Sequence, residues 1–146
     1  MTRLLKHVAL VSESDQISPN DLMKVASALQ KQATRDLAPL WDIDATVNAF
    51  GHIADVPIDY WPIIIRDNIG YNAAGIHLDD NGQPFALVTA DPGRDVWSVT
   101  CSHEMCEMLV DPFGNRLVAG QSLIPEQGRG NSLVEVCDPS EAAPFA

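Results

Sequence analysis

Residues 95 to 110 read as a single helix that is strongly apolar, with Val96, Trp97, Val99, Met105, Met108, Leu109 and Val110 along it. A helix of that composition has to be buried, so the rest of the chain must supply layers to cover it. Asp111-Pro112 ends it, because a residue before proline is steered out of the helical region. The same stretch carries His103, Glu104 and Glu107. Three ionisable groups in so apolar a helix are expensive to bury unless they are paired with one another or hold a metal ion.

The elements that could cover this helix are legible in outline. Residues 4 to 11 read as a buried first strand. Ser18 as N-cap and Pro19 at the first helical position start a helix, along which Leu22, Val25, Ala26, Leu29, Ala33 and Leu37 recur until Pro39 closes it. Residues 45 to 50 and 61 to 65 read as strands, the second buried on both faces by its β-branched run Ile63-Ile64-Ile65. Residues 75 to 90 form a hairpin about the turn Asp79-Asp80-Asn81-Gly82. Asp91-Pro92-Gly93 breaks the chain before the apolar helix, and residues 132 to 137 give a last strand in a loop-rich tail. One sheet with two helices packed against it follows, an α/β or α+β layer.

Size and charge narrow the function. A chain of 146 residues makes one domain with a real core. Apolar residues at 46% and charged residues at 20% are ordinary for a soluble protein, and no apolar run is long enough for a membrane helix. The net charge of −11, from 9 basic and 20 acidic residues, excludes the basic clusters that bind nucleic acid or an anionic membrane. The N-terminus lacks a small-x-small cleavage site, and three cysteines are no disulfide framework. The expected location is the cytoplasm.

His103 and Glu107 lie four apart and share a helix face, with Glu104 turned about 100° from His103 by the helical repeat. This is the spacing of the H-E-x-x-H zinc motif with its second His replaced by Glu, itself an acceptable zinc ligand. In that motif the first and fifth residues hold the ion and the Glu between them acts on its water. A three-position match of this kind arises by chance in about one chain in a hundred, and a solvated helix edge would explain it equally. A third ligand is needed. Asp111 continues the series by four, and Glu135 and Asp138 lie on or just after the last strand, where alternation does not bring both to one side. His77 on the hairpin reads as a substrate contact or a further ligand. Cys101 and Cys106 read as core residues on the helix.

Residues 97 to 112 resemble a group of uncharacterised bacterial and phage proteins that share a Ser-His-Glu-x-x-Glu-x-x-x-Asp-Pro segment and a later Glu-Val-x-Asp-Pro segment. Here the second is Glu135-Val136-Cys137-Asp138-Pro139, and the likeness extends over roughly residues 60 to 140. That group is similar to zincin-type metallopeptidases. The resemblance implies an α+β fold: a mixed sheet whose edge strand lines a cleft, with the active-site helix beneath. It implies His103 and Glu107 as Zn2+ ligands, Glu104 as general base, and a third ligand at Glu135 or Asp138. Members continue past the second Asp-Pro, so the resemblance also implies a single domain over residues 1 to 146 that lacks a C-terminal segment.

The expected function is a zinc-dependent hydrolase, a peptidase in which a metal-activated water attacks a peptide carbonyl. Its partner would be a peptide or protein substrate, extended beside residues 85 to 89, with no nucleic acid and no membrane. The alternative is a non-catalytic binding or assembly protein that keeps the zincin-like shape. The Glu at 107 favours that alternative, since added negative charge makes a metal's water less acidic.

Overall fold

The computed structural model describes residues 4–91, 96–122 and 124–138. Strand β1 (Leu5–Ser12) opens the chain, and helix α1 (Pro19–Gln32) follows, its Ser18 side chain accepting from the Asp21 amide at 3.1 Å. The helical path does not close at Pro39, as the sequence suggests. A π-turn over Ala33–Leu37 leads into a short helix α2 (Ala38–Trp41), with Pro39 in its first turn. The physical reason is the wider ring, in which the Ala38 amide reaches back to the Ala33 carbonyl. This resets the helix so that proline's missing N–H falls where a new first turn needs none. Asp42, left-handed at φ 57°, then turns the chain into β2 (Asp44–Phe50).

Strands β3 (Tyr60–Arg66), β4 (Gly75–Asp80) and β5 (Gln83–Thr89) complete a mixed sheet in the order β2-β1-β3-β5-β4. All neighbours are parallel except β4, which returns antiparallel along β5 and is an edge. Asn81 and Gly82, both at positive φ, form the two-residue turn between them, a geometry those residue types adopt at little cost. The architecture is therefore α+β, as expected. The antiparallel edge corrects one detail: β5 is bonded on both sides, so residues 85 to 89 cannot receive a peptide, and the free edge on this side of the sheet is β4.

Helices α1 and α3 (Val96–Val110) cover one face of the sheet. Val8, Leu10, Ile63, Ile65, Ala86 and Val88 point into that layer and meet Leu22, Ala26 and Leu29 from α1 and Trp97, Cys101, Met105 and Leu109 from α3. Ile64 and Leu87 alternate to the other face, where Ile69 packs with them, so Ile63, Ile64 and Ile65 are all buried as the β-branched run implies. Cys101 and Cys106 are core residues. No helix among the described residues is long and apolar enough to cross a membrane.

The tail departs most from expectation. Its strands are β6 (Leu117–Gln121) and β7 (Arg129–Leu133), an exposed hairpin that ends where the sequence places the middle of a strand. After Leu133 the chain leaves sheet geometry. The Val134 amide donates to the Arg116 carbonyl at 2.9 Å, and the Val134 side chain is drawn into the main core. Burial of that one valine overrides strand alternation, and it lays residues 135 to 138 against α3.

Candidate metal centre

Three segments meet at one end of α3: the helix itself, the start of β4, and residues 135 to 138. They line an open cleft of about 1440 Å³ whose remaining wall is α1, with His77, His103, Glu104, Glu107, Glu135 and Asp138 all facing it. Ser102 ties the helices at this point by donating to the Gln32 side chain at 2.7 Å.

His103 is the hub. Its Nε2 lies 3.2 Å from Glu107 Oε1 and 3.2 Å from Asp138 Oδ1. Glu107 is 5% exposed, and its Oε1 is a buried acceptor without a hydrogen-bond partner, so the approach of His103 is close but skewed from the line of a hydrogen bond. Two ligand atoms on a tetrahedral zinc ion, with bonds of about 2.0–2.2 Å, stand about 3.3 Å apart. Both contacts of His103 have that spacing.

A second group shares the same glutamate: ligand atoms of His77, Glu107 and Glu135 lie within 4.8 Å of one another, as do those of His103, Glu107 and Cys137. Glu135 thus joins a cluster at Glu107, and Asp138 reaches the site only through its contact with His103. Strand alternation forbids that, but the segment is not a strand. Asp111 does not join them. Buried at 1% exposure, it accepts from the backbone amides of Asn115 and Arg116 at 3.0 Å and holds the turn after α3, so it is a capping residue. Cys137 is the ligand candidate that sequence reasoning missed. Its position inside the Glu-Val-x-Asp-Pro segment, next to Asp138, was the available clue.

The electrostatics follow from this crowding. Contact with the Glu107 carboxylate holds His103 protonated up to about pH 9, against the opposing effect of burial. Burial pushes Glu104 up to about 7; the His103 charge offsets this in part, and the nearby carboxylates of Glu107, Asp138 and Glu135 add to it. In Glu107 burial acts upward too, but the close contact and charge of His103 outweigh it and the carboxyl stays below its ordinary value. His77 is lowered, first by burial, and its Nδ1 is a buried nitrogen without a partner. The Cys106 thiol lies against that of Cys137 with no disulfide between them, and Cys106 is lowered chiefly by that contact.

Gly75, at the start of β4, sets how close the edge strand comes to the helix. A Cβ there would stand 2.6 Å from Thr100 Cγ2 and 2.8 Å from Glu104 Oε1. Gly75→Ala is expected to force α3 and β4 apart, at about 1–3 kcal/mol in stability by denaturant unfolding. An unchanged midpoint would mean the two elements are loosely packed there.

Comparison with known protein families, with curated proteins and with solved structures finds no match to this chain.

Proposed function

We propose that the chain is a zincin-like, zinc-dependent metallohydrolase, a peptidase. The observation that carries this reading is the clustering of His103, Glu107 and Cys137, whose ligand atoms lie within 4.8 Å of one another, with Asp138 3.2 Å from His103. His103, Glu107 and Cys137 would hold the ion, with Asp138 and Glu135 beside them. The donor set of imidazole, carboxylate and thiolate fits zinc. When bound, zinc would acidify a water and polarise a carbonyl oxygen.

The chain's own residues account for the rest. Glu104, poised near 7, can accept a proton at neutral pH and return it to a leaving amine. Apolar Val25, Leu29, Ile76 and Val99 line the same cleft, and Glu104 itself is 5% exposed. The outer edge of β4 offers unpaired backbone groups to an extended peptide, which would run past Gly75, Ile76 and His77. An antiparallel edge strand beside the cleft and a motif-bearing helix beneath are the two features that the zincin resemblance implies. Three cysteines outside any disulfide support a reducing compartment, the cytoplasm.

A second reading, a non-catalytic binding or assembly protein of the same shape, is favoured by the ion pairs themselves. His103, when protonated, answers part of the charge of Glu107 and Asp138 without any ion. Elemental analysis of the purified, untagged protein separates the two, with His103→Ala as control. Bound zinc lost in the variant, together with chelator-sensitive cleavage of an unfolded protein substrate, is the expected result. Zinc-free protein that stays zinc-free after zinc is added back would overturn the hydrolase.

A further inference from the structure

We infer that the centre has two adjacent cation seats that share Glu107, so that a second divalent cation sits between His77, Glu107 and Glu135. The inference rests on the metal reading above and extends it from one ion to two.

The two donor groups are spatially distinct. Ligand atoms of His77, Glu107 and Glu135 cluster within 4.8 Å, and those of His103, Glu107 and Cys137 cluster separately, with Glu107 in both. A carboxylate has two oxygens and can bridge two cations, whose separation in such sites is about 3.5–4 Å. The second group also contains what an incidental acidic patch lacks. Glu107 is 5% exposed with Oε1 unpartnered, and His77 Nδ1 is a buried nitrogen with no hydrogen bond. Burying a polar atom without a partner is costly, and His77 and Glu107 come from different elements, β4 and α3. The buried, unpartnered His77 nitrogen on β4, on an imidazole whose ligand atom lies within 4.8 Å of the Glu107 carboxylate on α3, points to a ligand between them.

Charge favours the same conclusion. Glu104, Glu107, Glu135 and Asp138 face the cleft with two imidazoles. With both imidazoles neutral, as metal ligands must be, the carboxylates of Glu107, Glu135 and Asp138 alone carry more charge than one divalent cation answers. The donor types, imidazole and carboxylate, suit zinc, manganese or iron and disfavour a soft cation.

The test is a zinc titration of the metal-stripped, untagged full chain, read as equivalents bound by calorimetry and by elemental analysis after gel filtration. Wild type is expected to take two equivalents. His77→Ala and Glu135→Gln should each take one and keep the tighter site, and His103→Ala should lose a different equivalent. Two substitutions on separate elements guard against one that fails to fold, which circular dichroism would reveal. Cobalt gives an independent readout: its paramagnetic resonance should weaken as a second equivalent couples to the first, and should not in His77→Ala. One equivalent, unaffected by His77→Ala and Glu135→Gln, would overturn the second seat and leave the proposed hydrolase standing. One equivalent abolished by all three variants would assign every donor to a single ion and overturn it as well. Two equivalents retained in both variants would put the second ion elsewhere, and no zinc at all would remove both readings.

Discussion

Zinc-free protein is expected to lose stability as the pH rises from about 5 to 9, and zinc-loaded protein to lose much less of it over the same range. The sign comes from two groups. Glu104 has a folded value of about 7 against 4.5 when unfolded, so the folded state favours its neutral form. Its contribution is fully present below pH 4.5 and is lost as pH rises through about 7. For this buried group the loss is about 2–3 kcal/mol after allowance for residual screening. His103, raised from 6.5 to about 9 chiefly by Glu107, contributes in full below pH 6.5 and loses its contribution as pH passes about 9. Its effect is smaller, because the imidazole is partly solvated. Glu107, held low, acts only below pH 4.5, where its contribution is lost as pH falls. His77, lowered by burial, acts in the opposite sense to the slope below pH 6.5. A proton on His103 thus takes the role of the ion. Zinc must displace it, so affinity rises with pH. At free zinc a hundredfold above Kd the gain is about 2.7 kcal/mol, roughly 5–10 °C in melting temperature for a chain of this size. Thermal melts at pH 5, 7 and 9, with and without zinc, measure it. Parallel slopes in the two series would detach His103 and Glu104 from any metal centre.

The second large effect is expected from Glu104→Gln. Gln fills the same space and keeps a polar head but cannot take a proton. Bound zinc should be retained at wild-type stoichiometry, while hydrolysis falls by about 10²- to 10⁴-fold, the usual contribution of a general base. The same substitution carries a signature independent of substrate. An amide has no charged form to desolvate, so the zinc-free variant should lose the stability slope between pH 4.5 and 7. Loss of zinc on Glu104→Gln would instead make Glu104 a ligand. Retained zinc with undiminished hydrolysis would move the chemistry away from α3.

How much of this was legible beforehand differs by element. Helix α3 could be read because its apolar composition and Asp111-Pro112 are local facts, and the β4–β5 hairpin because Asn81 and Gly82 suit its turn without help from elsewhere. The order of the sheet was not legible: β4 and β5 have similar strand character, and only pairing decides which is the edge. The tail was misread for a related reason. Leu133, Val134 and Val136 support either a longer strand or a buried plug, and what separates them is a core cavity that accepts Val134, formed by distant residues. Pro39 reads as a stop from sequence because nothing in its neighbours announces a π-turn. At the centre, the i, i+4 pair His103 and Glu107 was visible from spacing alone. The approach of His77 and Cys137 depends on tertiary contacts that spacing does not encode.

Because Val134 anchors the returning segment in the core, the donors on α3 and those at 135 to 138 belong to one closed loop, with the exposed β6–β7 hairpin as its bight. An ion held at both ends would act as a cross-link, withdrawing loop entropy from the unfolded chain as a disulfide does. A cut in the hairpin would leave the donors of α3 where they are, yet turn the late donors into a separate strand whose local concentration falls once Val134 lets go. The hairpin, which touches neither ion nor cleft, would then govern metal retention through tethering alone.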